Sequence, residues 1–115
     1  MSTYPFLVYR NEYNEIIGFY SLKPTSNVVL DIYVCGVIPS MHRKGVGKVL
    51  QRSAEKYGKR HGYKYMQVKT VAMSHFGVYD LTNRFYLSLG FEPFEILPTL
   101  WDVSNPCQIY LKSIE

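Results

Sequence analysis

The chain has 115 residues, 47% of them hydrophobic and 19% charged, which suits one compact domain and excludes both a disordered chain and two full-sized domains. The net charge of +4 favours an anionic partner, and 8 of the 13 lysines and arginines fall between Arg43 and Lys64. No stretch reaches the ~20 apolar residues of a bilayer span, and the N-terminus lacks the charged-then-apolar layout of a signal peptide. A cytoplasmic protein is therefore expected. Cys35 and Cys107 suggest no disulfide framework, and with His42, His61 and His75 they give no metal-ligand spacing, so no metal site is expected.

Taken in order, Phe6–Arg10 and Ile16–Lys23 read as two strands around a polar turn at 11–15, with Gly18 marking a bulge or a close approach. Pro24–Asn27 is a turn, and Val28–Val37 is a strand rich in β-branched and aromatic residues that Pro39 ends. A helix is predicted from Gly45 to about Arg60, because Val46, Val49, Leu50, Ala54 and Tyr57 recur at i+3/i+4 spacing. Gly62 is its expected cap, and Gly58 costs up to ~1 kcal/mol against alanine, so its last turn is expected to fray. Tyr63–Val71 alternates as a strand, Ala72–Tyr79 reads as a loop, and Asp80 is the expected N-cap of a short helix through Leu89 that Gly90 ends. Phe91–Leu97 and Gln108–Ile114 are the last strands, with an irregular excursion, Pro98–Cys107, between them. Strands interleaved with two helices give an α/β domain with a mixed sheet, spanning residues 1–115 as a single domain.

The segment with chemistry in it is His42-Arg43-Lys44-Gly45-Val46-Gly47-Lys48, a basic, glycine-punctuated turn at a helix N-terminus. Glycine lets backbone approach a ligand, the first helical N–H groups have no partners within the helix, and the dipole favours an anion. The reading is a phosphate or pyrophosphate site. The plain alternative is a solvated basic loop leading into an ordinary amphipathic helix. Neither the Walker spacing nor G-x-G-x-x-G is present, since the latter needs a glycine where Leu50 stands.

With that turn, the chain resembles the GNAT superfamily of N-acetyltransferases, whose signature [QR]-x-x-G-x-[GA] here reads His42-Arg43-Lys44-Gly45-Val46-Gly47, with His42 in the first position. A second match, Asn83-Arg84-Phe85-Tyr86-Leu87-Ser88-Leu89-Gly90-Phe91, is similar to the family's late helix and its F-Y-x-x-x-G-F ending. The resemblance runs from about Phe6 to Ile114 and implies a GNAT-like acyl-CoA N-acyltransferase fold. It implies a short form that lacks the usual N-terminal strand and helices: a minimal member, a truncated core, or one completed by a second subunit as a homodimer. The sequence leaves these open.

The resemblance also implies acetyl-CoA as co-substrate and direct acetyl transfer to a primary amine on a small molecule, peptide or protein. His42, Arg43, Lys44, Gly45, Val46, Gly47 and Lys48 would grip the pyrophosphate, and the backbone of Cys35, Gly36 and Val37 would pair with the pantetheine arm. Tyr86 matches the tyrosine that protonates the departing thiolate, a task a phenol of pKa ≈ 10 can perform while neutral. The competing role for Tyr86 is core packing beside Phe85. Asn83, three residues before Tyr86 and on the same helix face, is a candidate cofactor contact. Asp31 is the candidate base, with a water relay or simple solvation as the alternatives.

Two rivals stand beside the transferase. A non-catalytic acyl-CoA-binding module would bind coenzyme A and turn nothing over. A small nucleic-acid-binding protein would use the basic helix, against which the tyrosines and phenylalanines fall mostly on core faces rather than on a stacking platform.

Overall fold

The computed structural model describes residues 4–42, 44–73, 77 and 79–115. Its six strands, β1 (Phe6–Arg10), β2 (Ile16–Pro24), β3 (Val29–Val37), β4 (Tyr65–Val71), β5 (Glu92–Asp102) and β6 (Asn105–Ser113), hydrogen-bond in the order β1-β2-β3-β4-β6-β5. With the helices α1 (Val46–Arg60) and α2 (Asp80–Ser88), this is the α/β mixed sheet expected. The chain divides into two compact units, Met1–Met66 with Ile114–Glu115, and Gln67–Ser113.

In the first unit, β1, β2 and β3 form an antiparallel meander. Along β2, Gly18, Tyr20 and Leu22 alternate onto one face, and α1 packs there with Val46, Leu50, Ala54 and Gly58 buried at i, i+4 spacing. Gly18 is the close approach: a Cβ on it would lie 3.0 Å from Val46 Cγ1 and 3.1 Å from Leu50 Cδ1. Gly58 plays the same part near the other end, where a Cβ would come within 2.6 Å of Ile114 Cδ1. The helix thus carries Gly58 as a packing position in its last turns. It runs to Arg60, and His61 and Gly62, the latter at φ +84°, close it as expected.

In the second unit, Val68, Ala72, Tyr86, Phe91, Cys107, Ile109 and Tyr110 make the core. Two expectations need correction here. Asp80 is the first residue of α2 rather than its cap, which is Tyr79 with no side-chain cap bond. An acid in the first turn still complements the helix dipole. The excursion 98–107 is mostly strand: β5 runs to Asp102, and the hairpin is closed by Asp102 Oδ1, which accepts from Ser104 N and Asn105 Nδ2. Its irregularity is a wide bulge, because Leu97 pairs with Cys107 and Asp102 with Asn105, leaving residues 98–101 opposite Pro106. Proline has no N–H to give the ladder, which suits it to a bulge.

Candidate active site

The strand β3 delivers the chain to the turn, and the turn delivers it to α1. After Val37, a 3-10 turn (Pro39–Met41) leads to His42, whose Nε2 donates to the Val37 carbonyl at 2.8 Å. That bond pins the turn to the strand end from which it came. Arg43 lies outside the described residues. Lys44 and Lys48 are exposed, and Gly45 is the N-cap at φ +83° with open space where a Cβ would be. This left-handed conformation costs a residue with a side chain roughly 1–2 kcal/mol, so glycine is the natural occupant. Val46 is only 3% exposed and anchors the first turn to Gly18. Anchored in this way, α1 presents the N–H groups of its first turn beside two ammonium groups, the arrangement an anion requires.

Cys35, Gly36 and Val37 pair with Tyr20, Phe19 and Gly18 of β2. The Phe19 ring covers Gly36, 3.1 Å from where a Cβ would stand, and stacks on Phe6 at 5.4 Å. Beside them, Ile16–Phe19 and Gly36–Ile38 line an apolar hollow of about 270 Å³.

Asp31 lies at the opposite end of β3, six residues from Val37 and therefore about 20 Å along the strand. It is 8% exposed and opposite Lys23 in register. Between Asp31 and Cys35 the strand bulges: Leu22 pairs with Ile32 and Ser21 with Val34, so Tyr33 is inserted without a β2 partner. One added residue reverses the alternation, which puts Asp31 on the same face as Gly36 and opposite to α1. No sequence signal marked this bulge, since Tyr33 is an ordinary strand residue. Its ring instead lies 5.3 Å from Lys23 Nζ.

Asn83 and Tyr86 belong to the second unit, on the buried face of α2. The Asn83 amide is fully buried; its Nδ2 donates to the Val71 and Tyr79 carbonyls, both at 2.8 Å, and its Oδ1 accepts from Tyr110 Oη at 2.6 Å. Both amide hydrogens are thus engaged in holding α2 to β4 and to the residue before the helix. Tyr86 is 4% exposed and lies among Phe85, Phe91 and Tyr110, with ring centroids 5.3, 5.8 and 6.1 Å away. Burial raises the pKa of the Tyr110 phenol above the ordinary tyrosine value. Lys112 Nζ donates to the Leu89 carbonyl at 2.6 Å and satisfies the C-terminal end of α2. Among the described residues no cluster of three or more His, Cys, Asp or Glu could hold a metal ion, and no helix is long and apolar enough to cross a membrane.

Residues 2–93, a range that includes the strand–turn–helix just described and α2, match the family model of the acetyltransferase (GNAT) domain. The chain belongs to the GNAT acetyltransferase family. No curated protein matches this GNAT chain. Among solved structures, a GNAT-family protein from Desulfovibrio desulfuricans aligns over 97% of this chain and 69% of its own, with a TM-score of 0.84 and 20% identity. An aminoglycoside 6'-N-acetyltransferase complexed with coenzyme A aligns over 96% and 72%, at 0.83 and 17%. A GNAT acetyltransferase from Elizabethkingia anophelis with acetyl-CoA bound aligns over 96% and 76%, at 0.81 and 19%. At these identities the likeness is one of fold.

Proposed function

We propose that this GNAT chain transfers an acetyl group from acetyl-CoA directly to a primary amine. The observation that carries the reading is the anchored, glycine-capped turn between β3 and α1, with the first-turn amides of the helix and the flanking Lys44 and Lys48. Those amides and cations would hold the pyrophosphate, with His42 securing the turn to Val37 and Arg43 adding charge. The backbone of Cys35, Gly36 and Val37 would receive the pantetheine arm. Acetyl-CoA supplies an activated acyl group: the amine nitrogen bonds to the carbonyl carbon, the carbon–sulfur bond breaks, and the thiolate leaves with the electron pair. One proton must leave the amine and one must reach the sulfur. Asp31, or water ordered by it, takes the first, and the Tyr86 phenol gives the second. Asn83 serves by fixing the helix that carries Tyr86. The reading includes a homodimer through β5.

The binding-module reading keeps one observation in its favour: Tyr86 is packed as a core aromatic would be. Calorimetric titration with acetyl-CoA tests the first part. Wild type is expected to bind, and Gly47→Glu, which sets a carboxylate against the phosphates, to lose binding at least 100-fold. If wild type does not bind, the reading fails. An acceptor screen with Tyr86→Phe tests the second: a 10²–10⁴-fold loss of kcat with affinity retained fits a general acid, whereas absence of turnover in wild type leaves only the module.

A further inference from the structure

Beyond Lys48, which the proposed pyrophosphate site shares, the solvent face of α1 carries a feature that acetyl transfer does not use. The helix buries Val46, Leu50, Ala54 and Gly58. Offset from these by two residues, and so about 200° around the axis, stand Lys48, Arg52, Lys56 and Arg60, with Lys59 beside them. All five are exposed. Each of the four is i+4 from the last, so the row is mutually repulsive. An ordinary solvated face interleaves both signs. Here the single acid of the helix, Glu55, accepts a 3.0 Å hydrogen bond from the buried Gln51. Among the described residues no ion pair neutralises any of the five cations. Lys44 before the helix and His61 and Lys64 after it, all exposed, lengthen the row at both ends.

We propose that this row is a docking surface for the phosphate backbone of a nucleic acid. From Lys48 to Arg60 it is about 18 Å long, enough to face several successive phosphates of one strand. The exposed His61 ring lies on Tyr57 at 4.2 Å, which places an aromatic surface beside Lys59 and Arg60. Cations joined to a stacking surface suit a polynucleotide better than an acidic peptide, which offers no bases to stack. A membrane is the wrong partner, because α1 buries its apolar side and leaves only Val49 exposed, at 43%, which is too little to insert.

The test is fluorescence anisotropy with a labelled oligouridine across a salt series, on wild type and on Arg52→Glu/Lys56→Glu. Four or five phosphates neutralised on a single strand give a log–log slope of about −3, hence roughly 60-fold weaker binding at 200 mM than at 50 mM salt. The double variant is expected to bind at least tenfold more weakly with a shallower slope, while binding acetyl-CoA as wild type does. Gly47→Glu is expected to keep RNA binding, so this proposal and the acetyl-CoA reading fail separately. Absence of RNA binding at 50 mM salt, or equal binding by the double variant, overturns the proposal. Equal affinity for a polyglutamate peptide overturns it in favour of an acidic protein partner. The variant Arg52→Gln/Lys56→Gln repeats the comparison without reversing charge, should the first variant be poorly folded by circular dichroism.

Discussion

Tyr20 sits beneath α1 with 1% exposure, and its hydroxyl has no hydrogen-bond partner among the described residues. Burial, then the neighbouring Cys35 and Glu55, push its pKa far above the ordinary tyrosine range. An unpaired buried hydroxyl costs about 1–3 kcal/mol, so Tyr20→Phe, which keeps the ring, is expected to stabilise the protein by about 1 kcal/mol near pH 7. The raised pKa adds a pH dependence. Below the unfolded value of about 10 both states are protonated and stability is intact. Above it the unfolded chain ionises and the folded one does not, so stability falls as pH rises. The phenylalanine variant is expected to lose less between about pH 7 and pH 10.5. Urea midpoints at the two pH values check both. A variant less stable than wild type near pH 7 would mean that the hydroxyl does make a bond.

Among the elements, α1 shows how a residue legible by type can be misread by role. Gly58 looks like a weak point by helix propensity, yet it is buried, and Ile114 occupies the space its side chain would need. Propensity is a local quantity, whereas Ile114 is 56 residues away in sequence. Gly58→Ala is therefore expected to lower stability by about 1 kcal/mol, the 1–3 kcal/mol of overpacking outweighing the ~1 kcal/mol gain in helix propensity. Adding Ile114→Val should recover part of the loss, and thermal melts of the single and double variants read it. A single variant as stable as wild type would show that Ile114 swings aside without cost. Other elements divide along the same line. The strands β1 to β3 and the helix α1 follow from periodicity within a residue or two, because their apolar faces are regular. The Tyr33 bulge and the 98–101 bulge are set by the partner strand's register, which no single segment encodes. Of the candidate site, the turn was legible because glycine and cation spacing is itself local. Asn83's bonds to Val71, Tyr79 and Tyr110 were not, because two of those three partners come from distant strands.

For the whole molecule, composition and element order were enough to give an α/β mixed sheet, but not how the chain meets a second copy. β5 ends the sheet order, and Phe94, Ile96, Leu100 and Trp101 on it are between 48% and 64% exposed. An edge strand with unpaired backbone groups and large apolar side chains is a surface that proteins usually cover or charge. β5 has three acids, Glu92, Glu95 and Asp102, but the run from Ile96 to Trp101 carries no charge at all. The expected outcome is a homodimer through this strand, with mass by light scattering rising toward twice 13.4 kDa as concentration increases. Ile96→Lys puts a charge in the middle of the apolar run, as natural edge strands do, and should hold the protein monomeric with its melting temperature unchanged when measured dilute. A wild type that stays monomeric at every concentration would remove the dimer and leave β5 to another partner. A variant that still dimerises would keep the dimer and move its interface off this strand.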